Sequence, residues 1–263
     1  LRQQTLGKSK NIDYDALRYY TTKTPWLRLA SSVNIEGETI NGQKDGSVYW
    51  KLKEAGFTTS VNETILEVEM KPITYQIIER LKKDQFVKNP QGDLILGDTG
   101  VKLMQKCHQL YSGTVKFEDG SRKVIDDSKA IFIKEKFSSD KIAIFYKFKA
   151  EIDCIKATMG NKITEDLDEF NSTDKWIALQ IVSGREGISL KAADYLVYLN
   201  IDFSATTYFQ FKDRMTTMER KENTLFWIFS KDGIEEKIYK TVLGKKDYTL
   251  NLFKKDYGTS NSK

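Results

Sequence analysis

Three polar side chains, Gln210, Asp213 and Arg214, stand at spacings of three and four in the stretch SATTYFQFKDRMTTMER. On a helix they share one face. A guanidinium on such a face has two uses. It can stabilise the charge of a transferring phosphoryl group, or it can pair with Asp213 or a distant carboxylate as part of a solvated salt-bridge face. A second special segment, Ser183-Gly184-Arg185-Glu186-Gly187, lies upstream. Its glycines permit backbone conformations that other residues avoid, so N–H groups can approach an anion closely while Arg185 adds charge. Taken alone, SGREG reads equally as an ordinary loop.

Other combinations carry less. Cys107 and His108 are adjacent, but neighbouring helical residues point about 100° apart and no third group accompanies them, which makes them structural. Leu6–Ser9 reads LGKS, yet the glycine that a phosphate loop needs five residues before Gly7 is Arg2. No strand precedes it, so a basic terminus is expected. With one histidine and two distant cysteines, Cys107 and Cys154, an ordinary zinc site and a disulfide framework are excluded and no metal ligand is assigned. Tyr208, Phe209 and Phe211 could stack on bases, but on a sheet-packed helix such residues are core.

The elements that must position these groups follow an alternating pattern. KIAIFYKF reads as a strand, KAEIDCIKATMG as a helix, WIALQIV and DYLVYLNI as strands. SATTYFQFKDRMTTMER is a helix, TLFWIFS a strand and GIEEKIYKTVLGKK a helix. Apolar strands interleaved with helices argue an α/β fold with a mostly parallel sheet covered on both faces. Its central strands are expected at Ile142–Tyr146, Trp176–Val182, Tyr195–Asn200 and Leu225–Phe229. Ligands of such sheets bind at the carboxyl ends of the strands, and the two special segments flank the run Tyr195–Asn200. Upstream, TILEVEM alternates like a strand and PITYQIIERLKK opens a helix with proline. GVKLMQKCHQLYSG is a helix closed by Gly113, TVKFEDGSRKVI a hairpin around Asp-Gly, and SKAIFIKEKF a helix capped by Ser128.

The chain has 263 residues, 40% hydrophobic and 30% charged, enough for one or two compact domains. A net charge of +5 from 42 basic and 37 acidic residues favours a polyanionic partner only weakly. No run of about 18 apolar residues exists, and neither a membrane span nor a signal peptide is expected. Cysteine usage fits a reduced, cytoplasmic setting, the host's cytoplasm for a viral protein. Leu1 in place of methionine suggests a fragment or a processed product. Residues 1–60 are glycine-punctuated and polar and read as an irregular segment of unclear origin. Residues 61–253 read as one lobe with a helix and hairpin inserted at about 98–127, and residues 254–263 as a basic flexible tail. Lys245, Lys246, Lys254 and Lys255 form two basic pairs near the end, suited to backbone phosphates or merely solvated.

KIAIFYKF, SGREGISLKAADYLVYLNIDFSATTYFQFKDR and FWIFSKDGIEEKIYKTV, in this order, resemble motifs IV, V and VI and the following strand and helix of the Swi/Snf-like superfamily 2 helicases. The compact, bacteriophage-encoded form is the nearest in pattern, and KCHQLYSGTVKFEDG resembles the helix and hairpin placed before motif IV there. The resemblance covers roughly Thr64 to Phe253. It implies the second, C-terminal RecA-like lobe of a DNA-dependent ATPase, which closes on ATP and Mg2+ held mainly by a first, N-terminal lobe. It places motif V at Ser183, Gly184 and Arg185, on duplex DNA, with Gly187 toward the nucleotide. Motif VI begins at Gln210, Asp213 and Arg214, with arginine directed to the phosphates. Lys245 and Lys246 are assigned to the DNA backbone.

The sequence departs from the family pattern in two places. A second arginine is usual three residues after the first, where Thr217 stands, and Arg220 lies one turn further on as the candidate substitute. The glycine pair of motif V is followed here by Arg185 and Glu186. With neither a complete phosphate loop nor an Asp-Glu-x-His box, this segment is expected to be inactive on its own. The alternative is a catalytically inactive helicase-fold module that binds nucleic acid or a protein partner in a phage assembly.

Overall fold

A computed structural model describes residues 61–89, 91–181, 190–214 and 224–257. These, apart from Arg214, belong to a compact unit formed by Val61–Asp213 and Glu222–Lys263. Its centre is a six-stranded sheet of β1 (Asn62–Val68), β6 (Ile142–Tyr146), β7 (Ile163–Thr164), β8 (Trp176–Gln180), β9 (Tyr195–Tyr198) and β10 (Thr224–Ser230). The spatial order is β1-β10-β9-β6-β8-β7, and every neighbouring pair is parallel. The fold is therefore the α/β class expected, a parallel sheet with helices on both faces. The four central strands begin where the apolar runs place them or one residue earlier, but β8 ends at Gln180 and β9 at Tyr198, short of the expected Val182 and Asn200; Val182 lies outside the described residues.

Continuous apolar strands are needed because both faces are covered. Side chains alternate across the sheet. One face gathers Ile142, Ile144, Ala178, Val197 and Ile228 with Ile133 of α3 (Ser128–Lys136) and Ile155 of α4 (Lys149–Met159) into one core. The opposite face is aromatic. Phe145 stacks on Tyr198 at a centroid distance of 4.3 Å, Tyr198 meets Trp227 at 5.0 Å, and Trp227 meets Tyr208 at 6.1 Å and Tyr239 at 5.9 Å. Tyr208 lies on α6 (Ala205–Arg214) and Tyr239 on α7 (Ile234–Leu243). The burial of Tyr208 fits the core reading made for it, whereas Phe209 is half-buried and the side chain of Phe211 lies outside the described residues.

The remaining elements flank this sheet. Pro72 sits in the first turn of α1 (Pro72–Asp84), where its missing N–H costs nothing. The helix α2 (Gly100–Tyr111) is capped by Thr99, whose hydroxyl accepts from the Lys102 amide at 3.3 Å. Beyond its end Gly113 adopts φ +81°, and a Cβ there would meet the Asp126 carbonyl at 2.2 Å; only glycine fits that position. The hairpin of β4 (Thr114–Lys116) and β5 (Arg122–Val124) is antiparallel, with Gly120 at φ +89° in the Asp-Gly turn.

One capping assignment is corrected. Ser128 is the first helical residue of α3 and not its cap. Its amide is bonded by the carboxylate of Asp126 at 2.9 Å, which also accepts from the Lys71 amide and the Thr74 hydroxyl, each at 2.6 Å. A carboxylate two residues upstream competes better for several donors than a serine hydroxyl does.

Patterning did not mark the short hairpin of β2 (Phe86–Lys88) and β3 (Leu94–Leu96), the edge strand β7, or α5 (Leu167–Ser172). The helix α8 (Leu250–Tyr257) runs into the segment expected as a basic tail. Among the described residues no helix is long and apolar enough to cross a membrane.

Candidate functional site at the carboxyl edge of the sheet

In strand order β9 and β6 are neighbours. The helix after β6, α4, packs on the aliphatic face, whereas α6, which follows β9, packs on the aromatic face. Adjacent parallel strands whose following helices leave to opposite faces open a crevice at their carboxyl ends. Lys147, Glu151, Asn200 and Asp202 occupy that edge. A shallow crevice there is lined by Ile181, Asn200, Asp202, Thr207 and Trp227. The chain enters residues 182–189 at the same edge, because Ile181 follows β8 and its amide donates to the Tyr146 carbonyl at 2.9 Å. Thus the exit toward the SGREG segment and the start of the arginine-bearing helix lie on either side of β6.

The floor of the edge is a buried polar network. Glu151, at the third position of α4, turns its carboxylate back to accept from the Lys147 and Phe148 amides, each at 2.7 Å. It also accepts from the Asn200 side-chain amide at 2.8 Å. The turns after β6 and β9 are thereby tied to one carboxylate. Burial pushes the Glu151 carboxyl above its ordinary value, against these three bonds and the nearby Lys129. Lys129 of α3 donates to the Leu199 carbonyl at 3.1 Å and to Glu235 of α7 at 2.7 Å, with both side chains almost wholly buried. The Ser230 hydroxyl also reaches Glu235, at 3.3 Å.

His108 belongs to this floor and not to a nucleophile pair. It is buried, with ring centroids 4.7 Å from Phe203 and 5.3 Å from Phe148. Burial first, then Lys147 and Lys129, hold its pKa well below the usual imidazole value. The neutral ring is a packing element. Cys107 is buried with it, and desolvation pushes its thiol up to about 12, so it is not a thiolate.

At the rim, Lys147 pairs with Asp202 at 2.7 Å and lies 5.1 Å from the centroid of the Phe203 ring. Asp202 in turn accepts from the Ser204 amide at 3.0 Å. The first turn of α6 is closed from two directions. The Ser204 hydroxyl accepts from the Thr207 amide at 3.4 Å, and Asp247 accepts from the Ala205 amide at 2.8 Å. The next residue, Tyr248, donates its amide to the Phe203 carbonyl at 2.8 Å.

Further along α6, Glu63 of β1 anchors the helix to the aromatic face. It accepts from the Tyr208 hydroxyl at 2.8 Å, the Trp227 indole at 2.9 Å and the Tyr239 hydroxyl at 3.1 Å. Burial, then Glu63, raises the Tyr239 hydroxyl to about 12, and the Tyr208 hydroxyl is raised by the same two causes. Both phenols remain donors.

The candidate residues fall out as follows. Gln210, Asp213 and Arg214 lie in the helical backbone of α6, which leaves the carboxyl edge. Lys245 and Lys246 are exposed in the turn after α7, directly before the clamp residues Asp247 and Tyr248. Lys245 adopts φ +57° and ends the helix with its amide bonded to the Val242 carbonyl at 2.9 Å. Ser183, Gly184, Arg185, Gly187 and Arg220 lie outside the described residues, as does Thr217. Among the described residues no group of three or more His, Cys, Asp or Glu could hold a metal ion. Reasoning from local pattern missed Glu63, Glu151, Asn200 and Asp247, whose partners are distant in the chain. The only local signal was Glu151 at the third position of a helix, where carboxylates reach back to free amides.

No family model matches the sequence, and no curated protein does. Among solved structures the chain is similar to the C-terminal part of the Fun30 ATPase domain, at 16% identity and a TM-score of 0.49, covering 73% of this chain and 91% of that one. It is also similar to the Sulfolobus solfataricus SWI2/SNF2 ATPase core in complex with dsDNA, at 16% identity and a TM-score of 0.46. That match covers 76% of this chain and 46% of the other, so the chain spans about half the length of that core. Identity this low transfers no residue role, and the fold described above rests on the chain's own strands.

Proposed function

We propose that this chain is the C-terminal lobe of a DNA-dependent ATPase of the Swi/Snf-like type. The observation that carries the reading is topological. The helix bearing Gln210, Asp213 and Arg214 and the exit toward Ser183–Gly187 flank β6 at one carboxyl edge of a parallel sheet, and Lys245–Lys246 join them there through the Asp247 clamp. Ser183, Gly184 and Arg185 contact duplex DNA, with Lys245 and Lys246 on its phosphates. Gly187, Gln210, Asp213, Arg214 and Arg220 face ATP and its Mg2+, held mainly by an N-terminal lobe. ATP supplies the phosphoryl group, and the arginines supply charge from a second body, so that the site is completed only on closure. The bacteriophage affiliation and the cytoplasmic setting belong to the same reading.

Fluorescence anisotropy with a labelled duplex tests it. Sequence-independent binding that weakens steeply with salt is expected, and replacing Lys245 and Lys246 together should reduce the slope by about two. Absence of duplex binding at low salt would sink the reading and favour a module that binds a protein partner.

A further inference from the structure

Resting on the proposed DNA contact at Lys245–Lys246, we infer that Asp247 and Tyr248 form a clamp that transmits DNA engagement to the arginine-bearing helix α6. The clamp has unusual placement. A helix normally closes its first amides with a residue at its own start, as the Ser204 hydroxyl does here for Thr207. In α6 the Ala205 amide is taken in addition by Asp247, 42 positions downstream. The adjoining residue adds a backbone bond, Tyr248 to the Phe203 carbonyl at 2.8 Å, and its ring stacks on Phe203 at 6.1 Å.

Behind the clamp the chain is fixed. Tyr248 is buried, its hydroxyl donates to Asp256 of α8 at 2.7 Å, and Phe253 of α8 is buried completely. In front of it the chain turns sharply at Lys245, in the left-handed region. Two exposed lysines therefore lie between a helix end and a side chain that holds the first turn of another helix. Among the described residues neither lysine makes an ion pair. A phosphate drawing on Lys245 and Lys246 orders the turn, and the ordering reaches Ala205 through one covalent step and one hydrogen bond. The negative charge of Asp247 also sits favourably at the positive end of the α6 dipole.

Asp247 is thus a positioning residue, acting on Gln210, Asp213 and Arg214 through the helix that carries them. Whatever fixes the N-terminus of a short helix also fixes the direction of its far end. The other anchor of α6, the Tyr208 hydroxyl on Glu63, lies one turn along, so the helix is held at two points by parts of the chain remote in sequence.

The test measures two things on the full chain. Duplex binding is followed by anisotropy, and hydrogen exchange of the Ala205–Tyr208 amides is followed with and without duplex. DNA should slow exchange by about fivefold or more, the low end of ordinary coupling between sites. Asp247→Ala should bind duplex within about twofold of the parent yet lose the slowing, while Asp247→Asn, which keeps an acceptor oxygen, should retain it. As a second variant, two glycines inserted between Lys246 and Asp247 should keep binding and lose the response, without removing any side chain. If duplex binds and the exchange of α6 is unchanged in the parent, or is slowed equally in Asp247→Ala and the glycine insertion, the clamp is overturned. If the parent fails to bind duplex, it is the reading of the lysine pair that falls, and the inference with it.

Discussion

The two faces of the sheet are built on different physics. The aliphatic face, with Ile142, Ile144, Val197 and Ile228 against α3 and α4, is held by burial that has no preferred direction. The aromatic face, with Trp227, Tyr198, Tyr208 and Tyr239, adds one carboxylate, Glu63, that takes hydrogen bonds from three rings. Directional bonds fix rotation and register of the helices that make them, whereas an aliphatic contact tolerates sliding. The helix that carries Gln210, Asp213 and Arg214 lies on the directional face. The aliphatic face supplies stability, and the aromatic face supplies aim.

The largest expected effect lies where helices from the two faces meet. Lys129→Met leaves Glu235 charged and buried beside Leu199 and should cost about 3–5 kcal/mol, whereas Lys129→Met with Glu235→Leu should recover most of it. Urea denaturation of both variants measures this, and an equal loss in the double variant would show that the pair matters by more than charge balance. Next, Ile155→Ala on the aliphatic face should cost about 2–5 kcal/mol and leave duplex affinity unchanged. Glu63→Ala on the aromatic face should cost about 1–3 kcal/mol and also raise exchange along Ala205–Tyr208. If Ile155→Ala loosened α6 as much as Glu63→Ala, the division between stability and aim would fail.

A smaller effect is set by pH. Because the His108 pKa is depressed below its ordinary value of 6.5, its contribution is present above that pH and lost as pH falls through it. Glu151 has the opposite sign: its raised pKa means that its ionisation costs stability as pH rises from the ordinary carboxylate value of 4.5. Thermal unfolding between about pH 7 and pH 5 should therefore show an acid loss that His108→Phe flattens, since protonation of Glu151 acts in the opposite direction. An unchanged profile would place the acid-sensitive group elsewhere. The smallest change is Lys245→Gly, which relieves a left-handed residue and should stabilise by up to about 1 kcal/mol while weakening duplex binding.

Much of the fold was legible in the sequence. The strand Ile142–Tyr146 coincides with its apolar run, and the Leu225–Phe229 run lies within β10. Gly113 and Asp119-Gly120 closed the helix and hairpin where punctuation placed them. Less of the site was legible. The spacing of Gln210, Asp213 and Arg214 put them on one helix, while the SGREG segment, 183–187, lies outside the described residues. Yet Ser128 was assigned a cap that Asp126 supplies, because a hydroxyl at a helix start looks like a cap until a carboxylate with three donors is seen beside it.

What the sequence determined by itself is local. Apolar runs of four to seven residues, proline at a helix start and glycine past a helix end restrict the backbone through nearest neighbours, so they specify elements and the α/β alternation without knowledge of the rest. Only the tertiary structure decided that β9 and β6 are neighbours, which sets the crevice at their carboxyl ends. It likewise decided that Asp247 closes a helix beginning at Ala205, and that Glu63 gathers Tyr208, Trp227 and Tyr239. The hydrogen bonds that these two carboxylates accept span 42 to 176 positions. A bond between such distant residues exists only once the sheet order has brought them together. Its partners carry no shared local pattern, because the geometry belongs to the assembled sheet and not to any one stretch of chain.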